Sequence, residues 1–195
     1  QLLAGTQLDP EQVHSKWEPY HALYPDFILA RAKAALAPPL TVTLSLVGET
    51  LTAVGSAPSQ WITDSRKIAR AIPGVSDFKT DGVIDTDELL RRELEASKAR
   101  LETSAIYFIV ETTNLVPGQE DTLTNLTTEV QRFFDLARQA GKGFRLEIAG
   151  HTDTSGMERK NDVLSRARAE SILAMLVSRG IPKDTLVVVG AKERV

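Results

Sequence analysis

The chain has 195 residues, 42% hydrophobic and 25% charged, with a formal net charge of -3, which is globular composition with material for one or two domains. Its 23 Lys and Arg are spread among 26 Asp and Glu without a lysine-rich run, and it holds only six Phe, so the basic footprint of a nucleic-acid binder is missing. The absence of cysteine excludes disulfides, thiolate catalysis and cysteine-based zinc sites.

No apolar stretch approaches the roughly 20 residues that span a bilayer, and the amino terminus has neither a basic lead nor a secretory apolar core. The start at Gln1 and the stop just after an apolar strand read as a mature form or an excerpt, with any export signal or anchor lying outside it. Residues 1–25 form an amino-terminal extension.

"PDFILARAKAAL" is predicted as a short helix closed by Pro38 and Pro39, because proline cannot continue the hydrogen-bond ladder. "LTVTLSLVG" alternates Leu40, Val42, Leu44 and Leu46 with Thr and Ser, and "TLTAVGSA" repeats that period after a turn at Gly48 and Glu49. The pair reads as a β-hairpin. Pro58 and Ser59 open a second helix whose Trp61, Ile62, Ile68, Ala69 and Ile72 face the hairpin, and Pro73 and Gly74 end it. A strand from Val75 to Ile84 completes an α-β-β-α-β unit over residues 26–84. In "VTLSLVGETLTAVGSAP" and "IARAIPGVSDF" this unit resembles the BON domain, a small envelope module built from a hairpin, a helix and a glycine-containing turn before its last strand.

Residues 85–103 change to a charged helical segment, with Asp87 and Arg91, and Glu88 and Arg92, four apart in the favourable order. Leu89, Leu90, Leu94 and Leu101 are too few for a sustained coiled coil, so the segment reads as a solvated connector. From residue 104 to the end, "AIYFIV", a helix from "GQEDTL" to "RQAG", "FRLEIAGH", a helix over "NDVLSRARAESILAMLVSR" and "TLVVVG" alternate in type. That β-α-β-α-β order predicts an α/β sandwich with helices on a mixed sheet, so the fold class is two small domains, α+β followed by α/β.

The last helix poses a chemical question. On a wheel of about 100° per residue, Leu164, Ala169, Ile172, Leu173, Met175 and Leu176 share one half, and Arg168 falls inside it. Asp153 stands at the end of the preceding strand, and Asn161 suits the N-cap of the helix, so Asp153 and Arg168 can approach one another. Two readings are open. One is an internal salt bridge holding loop to helix. The other is a carboxylate and a guanidinium set apart to receive a zwitterion, since the planar fork of arginine grips a carboxylate with two hydrogen bonds.

Gly150, Thr152, Asp153, Gly156, Asn161, Leu164, Ser165, Arg168, Ala169, Gly180 and Ile181 fall in a spacing that closely resembles the signature of the OmpA-like peptidoglycan-associated domain. The resemblance extends from about Ser104 to the end. It implies non-covalent binding of the diaminopimelate side chain of peptidoglycan stem peptides. Asp153 would receive the ammonium and Arg168 the carboxylate, with Asn161 in support. Thr152 and Leu164 would flank the pocket, and main-chain contacts would come from around Thr113 and Asn114. The first strand departs from the family's pattern at Ile109 and Val110. The chain ends before the usual final strand with its Asn-Arg-Arg signature, so the sheet edge is expected to be either truncated or completed differently, and an unpaired edge would invite association.

Competing chemistries find little support in the residues. His151 and Asp153 make an HxD pair, but His14 and His21 lie in the far amino-terminal region, and a catalytic zinc site normally takes three protein ligands. No G-x-S-x-G nucleophile elbow occurs, and "VVGAKERV" lacks phosphate-loop spacing. Met157, Glu158, Arg159 and Lys160 read as a solvated loop. The expectation is therefore a bacterial envelope protein on the periplasmic side. It is no enzyme and carries no cofactor or metal, and it anchors an assembly to peptidoglycan. The BON-like unit would contact membrane lipid or a partner protein. The alternatives are a BON-plus-OmpA protein linked to a membrane pore or stress response with Asp153 and Arg168 as a structural bridge, and an enzyme acting on wall peptides.

Overall fold

The computed structural model describes residues 22–151 and 158–189. The expectations placed on residues 1–21, on Thr152, Asp153, Ser155, Gly156 and Met157, and on residues 190–195 lie outside that set. The chain divides into two compact units, Gln1–Asp85 and Thr86–Val195, each mixing helices with a small sheet.

The first unit runs α1 (Pro25–Leu36), β1 (Val42–Val47), β2 (Thr50–Ala57), α2 (Ser59–Ala69) and β3 (Asp77–Asp85), the α-β-β-α-β order read from the sequence. Pro25 opens α1, where its missing N–H costs nothing. Ala37, at φ 41°, closes the helix ahead of the two prolines. β1 and β2 form an antiparallel hairpin around Gly48, whose φ of 60° at the first central turn position is native to glycine. β3 then joins β2 in parallel after the α2 crossover. Val42, Leu44, Leu51, Ala53 and Ala57 pack with Ala32, Leu36, Ile62, Ala69 and Ile72 into one core.

Two expectations for this unit are corrected. Leu40 is fully exposed at 107%: it sits in the turn in which the Val42 N–H donates to Pro39 O, so it falls outside the strand's alternation. Ile68 is exposed, because the inward stripe of α2 runs through Ile62, Ser65 and Ala69.

The second unit comprises α3 (Thr86–Glu102), α4 (Gln119–Gln139), β4 (Leu146–Ala149), α5 (Glu158–Ser178) and β5 (Leu186–Val189), with a 3₁₀ turn at Lys183–Thr185. α3 occupies the segment read as a connector, but one of its faces is packed. Leu94 joins Phe133, Leu136 and Ala137 of α4, with Leu90, Leu101 and Phe144 at the margin. Its outer face carries Arg91 bonded to Glu88 and Glu95, and Arg92 bonded to Glu88.

"AIYFIV" does not form the expected strand. Phe108 makes an isolated antiparallel bridge with Leu115, Ile109 N–H donates to Asn114 O at 2.8 Å, and Val116 N–H to Tyr107 O at 3.0 Å. The backbone groups that could have entered a sheet are spent on this local fold-back. Among the described residues the sheet is therefore the parallel pair β4–β5, not a mixed sheet. The start of α5 is also earlier than expected. Glu158, Arg159 and Lys160 are residue types of good helix propensity, and the helix begins at Glu158, so Asn161 lies inside it and the three-residue run is helical rather than loop.

Candidate binding site

The site is built where β4 ends against α5. Gly150 is buried, and a Cβ placed on it would land on the carbonyl oxygen of Ser165. Ser165 is itself wholly buried, its hydroxyl donating to Asp162 O at 2.9 Å. The strand end and the helix backbone thus touch directly, and only glycine permits it. The glycine of the motif has here a packing reason that sequence spacing alone did not supply.

Arg168 lies half-buried on α5, one turn beyond Leu164. Its Nε donates to Thr112 O at 2.9 Å, Nη2 to Ile109 O at 3.2 Å and Nη1 to His151 O at 3.2 Å. The guanidinium carbon stands 5.4 Å from the centroid of the Phe108 ring, within cation–π range. The arginine in the apolar arc is accordingly braced by three main-chain carbonyls and an aromatic face. A buried cation without such partners would be very costly.

The turn gripped by this side chain is tightly built. Ile109 O accepts from Thr112 N–H and Thr112 Oγ1, both at 3.1 Å, besides the guanidinium. Asn114 N–H donates to Thr112 Oγ1 at 3.1 Å. Glu111, exposed at the apex, has φ 58°, a left-handed conformation that costs a non-glycine residue about 1 kcal/mol or more.

A cleft of about 1260 Å³ is lined by residues 104–108, Val110 and Glu111, by β4, and by Leu126, Ile172 and Leu176. Of the expected site residues, Asn161, Leu164 and Arg168 line it together, alongside Gly150 and His151. Thr113 and Asn114 do not line it; they sit exposed on the turn whose carbonyls Arg168 holds. Thr152 and Asp153 lie outside the described residues, so the Asp153–Arg168 approach is not described.

Phe108, Glu111, Thr112 and Ser165 were missed as site residues. The signal for the turn was available in "ETTN", a cluster of turn-forming residues between apolar runs. Among the described residues no group of three or more His, Asp or Glu is arranged to hold a metal, and no helix is long and apolar enough to cross a membrane.

Residues 107–194 match the OmpA family. That portion of the chain is OmpA-like, and it contains the turn, α4, β4, α5 and β5. No curated protein matches the chain.

Proposed function

We propose that the OmpA-like portion binds peptidoglycan non-covalently, by clamping the diaminopimelate side chain of the stem peptide, and so anchors an envelope protein or assembly to the cell wall. The observation that carries this reading is the state of Arg168. Three of its five N–H groups brace it against Ile109, Thr112 and His151, which fixes the plane of the guanidinium at the cleft wall. Two N–H groups are left, among the described residues, for a carboxylate. Asp153, fifteen positions before it in sequence, would take the ammonium of the same zwitterion, with Asn161 in support and Thr152 and Leu164 flanking. Thr113 and Asn114 would offer main-chain groups from the turn. No bond is made or broken.

Calorimetric titration with a meso-diaminopimelate stem peptide tests this, run beside Asp153→Ala and Arg168→Ala with folding checked by melting. Binding by the parent and its loss in both folded variants is the expected outcome. A parent that does not bind, or variants that bind as well, ends the clamp reading.

One observation favours a second reading. All three described hydrogen bonds of Arg168 go to main-chain carbonyls from two segments distant in sequence, which is what a purely structural brace would do. On that reading Arg168→Ala lowers the melting temperature while Asp153→Ala leaves any stem-peptide binding intact. For the whole chain the setting would be a bacterial cell envelope, on the periplasmic side. The first unit would act as a BON-like module toward membrane lipid or a partner protein, and the association with a pore or stress response remains the alternative role. Co-sedimentation of the chain with anionic vesicles separates the lipid from the protein partner.

A further inference from the structure

The sheet of the first unit has two edges, and they differ in chemistry. β3 carries Asp77, Lys79, Asp81 and Asp85, the charged guard that keeps an edge strand from pairing with other chains. β1, at the other edge, has no charged residue anywhere from Leu40 to Gly48 and no proline within the strand.

The hydrogen-bonding direction of β1 follows from the hairpin. Ser56 N–H donates to Thr41 O, and Thr41 and Ser56 continue the register in which Val42 opposes Gly55. In an antiparallel ladder such pairs alternate. Thr43, Ser45 and Val47 therefore turn their backbone groups toward β2, while Val42, Leu44 and Leu46 turn theirs outward. The outward N–H of Val42 is already taken by Pro39 O at 2.9 Å. Leu44 and Leu46 are left presenting two donors and two acceptors, with no acceptor or donor for them among the bonds of the described loops and turns.

We infer that this edge is the interface for a second copy of the chain, paired antiparallel across a two-fold axis at Ser45. In that register Leu44 of each copy opposes Leu46 of the other, and all four outward groups of each strand are satisfied by exchange. Ser45 opposes its own image, and Thr43 faces Val47 of the other copy. Inward residues meet inward residues, so the buried faces of both sheets continue into one another. Val47, 78% exposed in the single chain, gains a neighbour. A two-fold pairing demands that one surface complement itself, and an uncharged strand with matched donors and acceptors meets that demand without like-charge opposition. This inference is independent of the peptidoglycan reading.

Analytical ultracentrifugation of the full chain provides the test. Ser45 is exposed on the open face of the sheet, so charging it leaves the fold in place, as melting would verify. The parent is expected to sediment at twice the chain mass, Ser45→Lys and Ser45→Glu each at the single mass, and their equimolar mixture again at twice the mass. In a chain with no cysteine, Ser45→Cys is expected to oxidise to a linked dimer, because the non-hydrogen-bonded position brings the two Cα atoms to about 4.5 Å. A monomeric parent leaves the edge to some other occupant and overturns the inference. So does a dimer that persists in Ser45→Lys, or one that Ser45→Cys fails to link.

Discussion

Gly150 and Ser165 are in backbone contact: a methyl group on the one would occupy the carbonyl oxygen of the other. Both partners are backbone atoms of regular elements or their ends, so neither can swing aside as a long side chain would. Gly150→Ala is expected to cost about 1–3 kcal/mol, the range for forced overpacking. Gly143→Ala, where an added Cβ meets nothing within 4 Å, is expected to be near neutral. Urea midpoints of the two variants check the contrast.

Arg168→Lys tests what the shape of the side chain contributes. An ammonium is a compact point charge and cannot reach Ile109, Thr112 and His151 from one planar fork. The variant keeps the charge but should lose on the order of 2 kcal/mol, roughly the net worth of one hydrogen bond from a charged donor. Hydrogen exchange should quicken at Thr112 N–H and Asn114 N–H, whose partners belong to the same turn.

Glu129 ties α4 to α3. Its Oε1 accepts from Arg100 Nη2 at 2.8 Å and from the hydroxyl of wholly buried Ser97 at 2.6 Å. The hydrogen bond from Arg100 holds its carboxyl below the ordinary glutamate value, with the Ser97 hydroxyl acting in the same direction and burial opposing them. A carboxyl depressed in the folded state contributes stability that is present above the unfolded pKa and is lost as pH falls through the folded one. Glu129→Gln should therefore flatten the decline in stability on the acid side of the usual glutamate range. Ser97→Ala should cost about 1 kcal/mol at neutral pH. Thermal melts across the acid range, parent against variant, measure both.

Glu111 occupies left-handed backbone at φ 58°. Glycine adopts that conformation without steric penalty but loses more chain entropy on folding, so Glu111→Gly is expected to be stabilising by a few tenths to about 1 kcal/mol. A fall in stability of more than that amount would mean that the carboxylate makes a favourable interaction in its place. The denaturation midpoint decides.

Much of the architecture could be read in advance because strong local signals agreed with tertiary packing. Pro25 with Pro38 and Pro39 bounded α1, and Gly48 with the alternation of Val42, Leu44 and Leu46 marked the hairpin. The failures have physical causes. "AIYFIV" has the composition of a buried strand, but pattern alone could not show that Tyr107 and Ile109 would spend their backbone groups on Val116 and Asn114. Arg168 stood out on the wheel as a charge in an apolar arc. Its partners did not, because carbonyl oxygens belong to every residue and leave no mark in a sequence. Asn161 has the chemistry of a helix cap and lost the position to a run of better helix formers before it.

The grip of Arg168 on the turn also sets an order of events during synthesis. Thr112 leaves the ribosome 56 residues ahead of the arginine that holds it. At ~5–20 residues per second the turn waits roughly 3–11 s without its latch. For that interval the nascent chain has no cation at Ile109 or Thr112, and hence no finished pocket wall. A stalled or prematurely terminated product ending before α5 would carry the same unlatched turn, and would lack the guanidinium on which the proposed clamp depends.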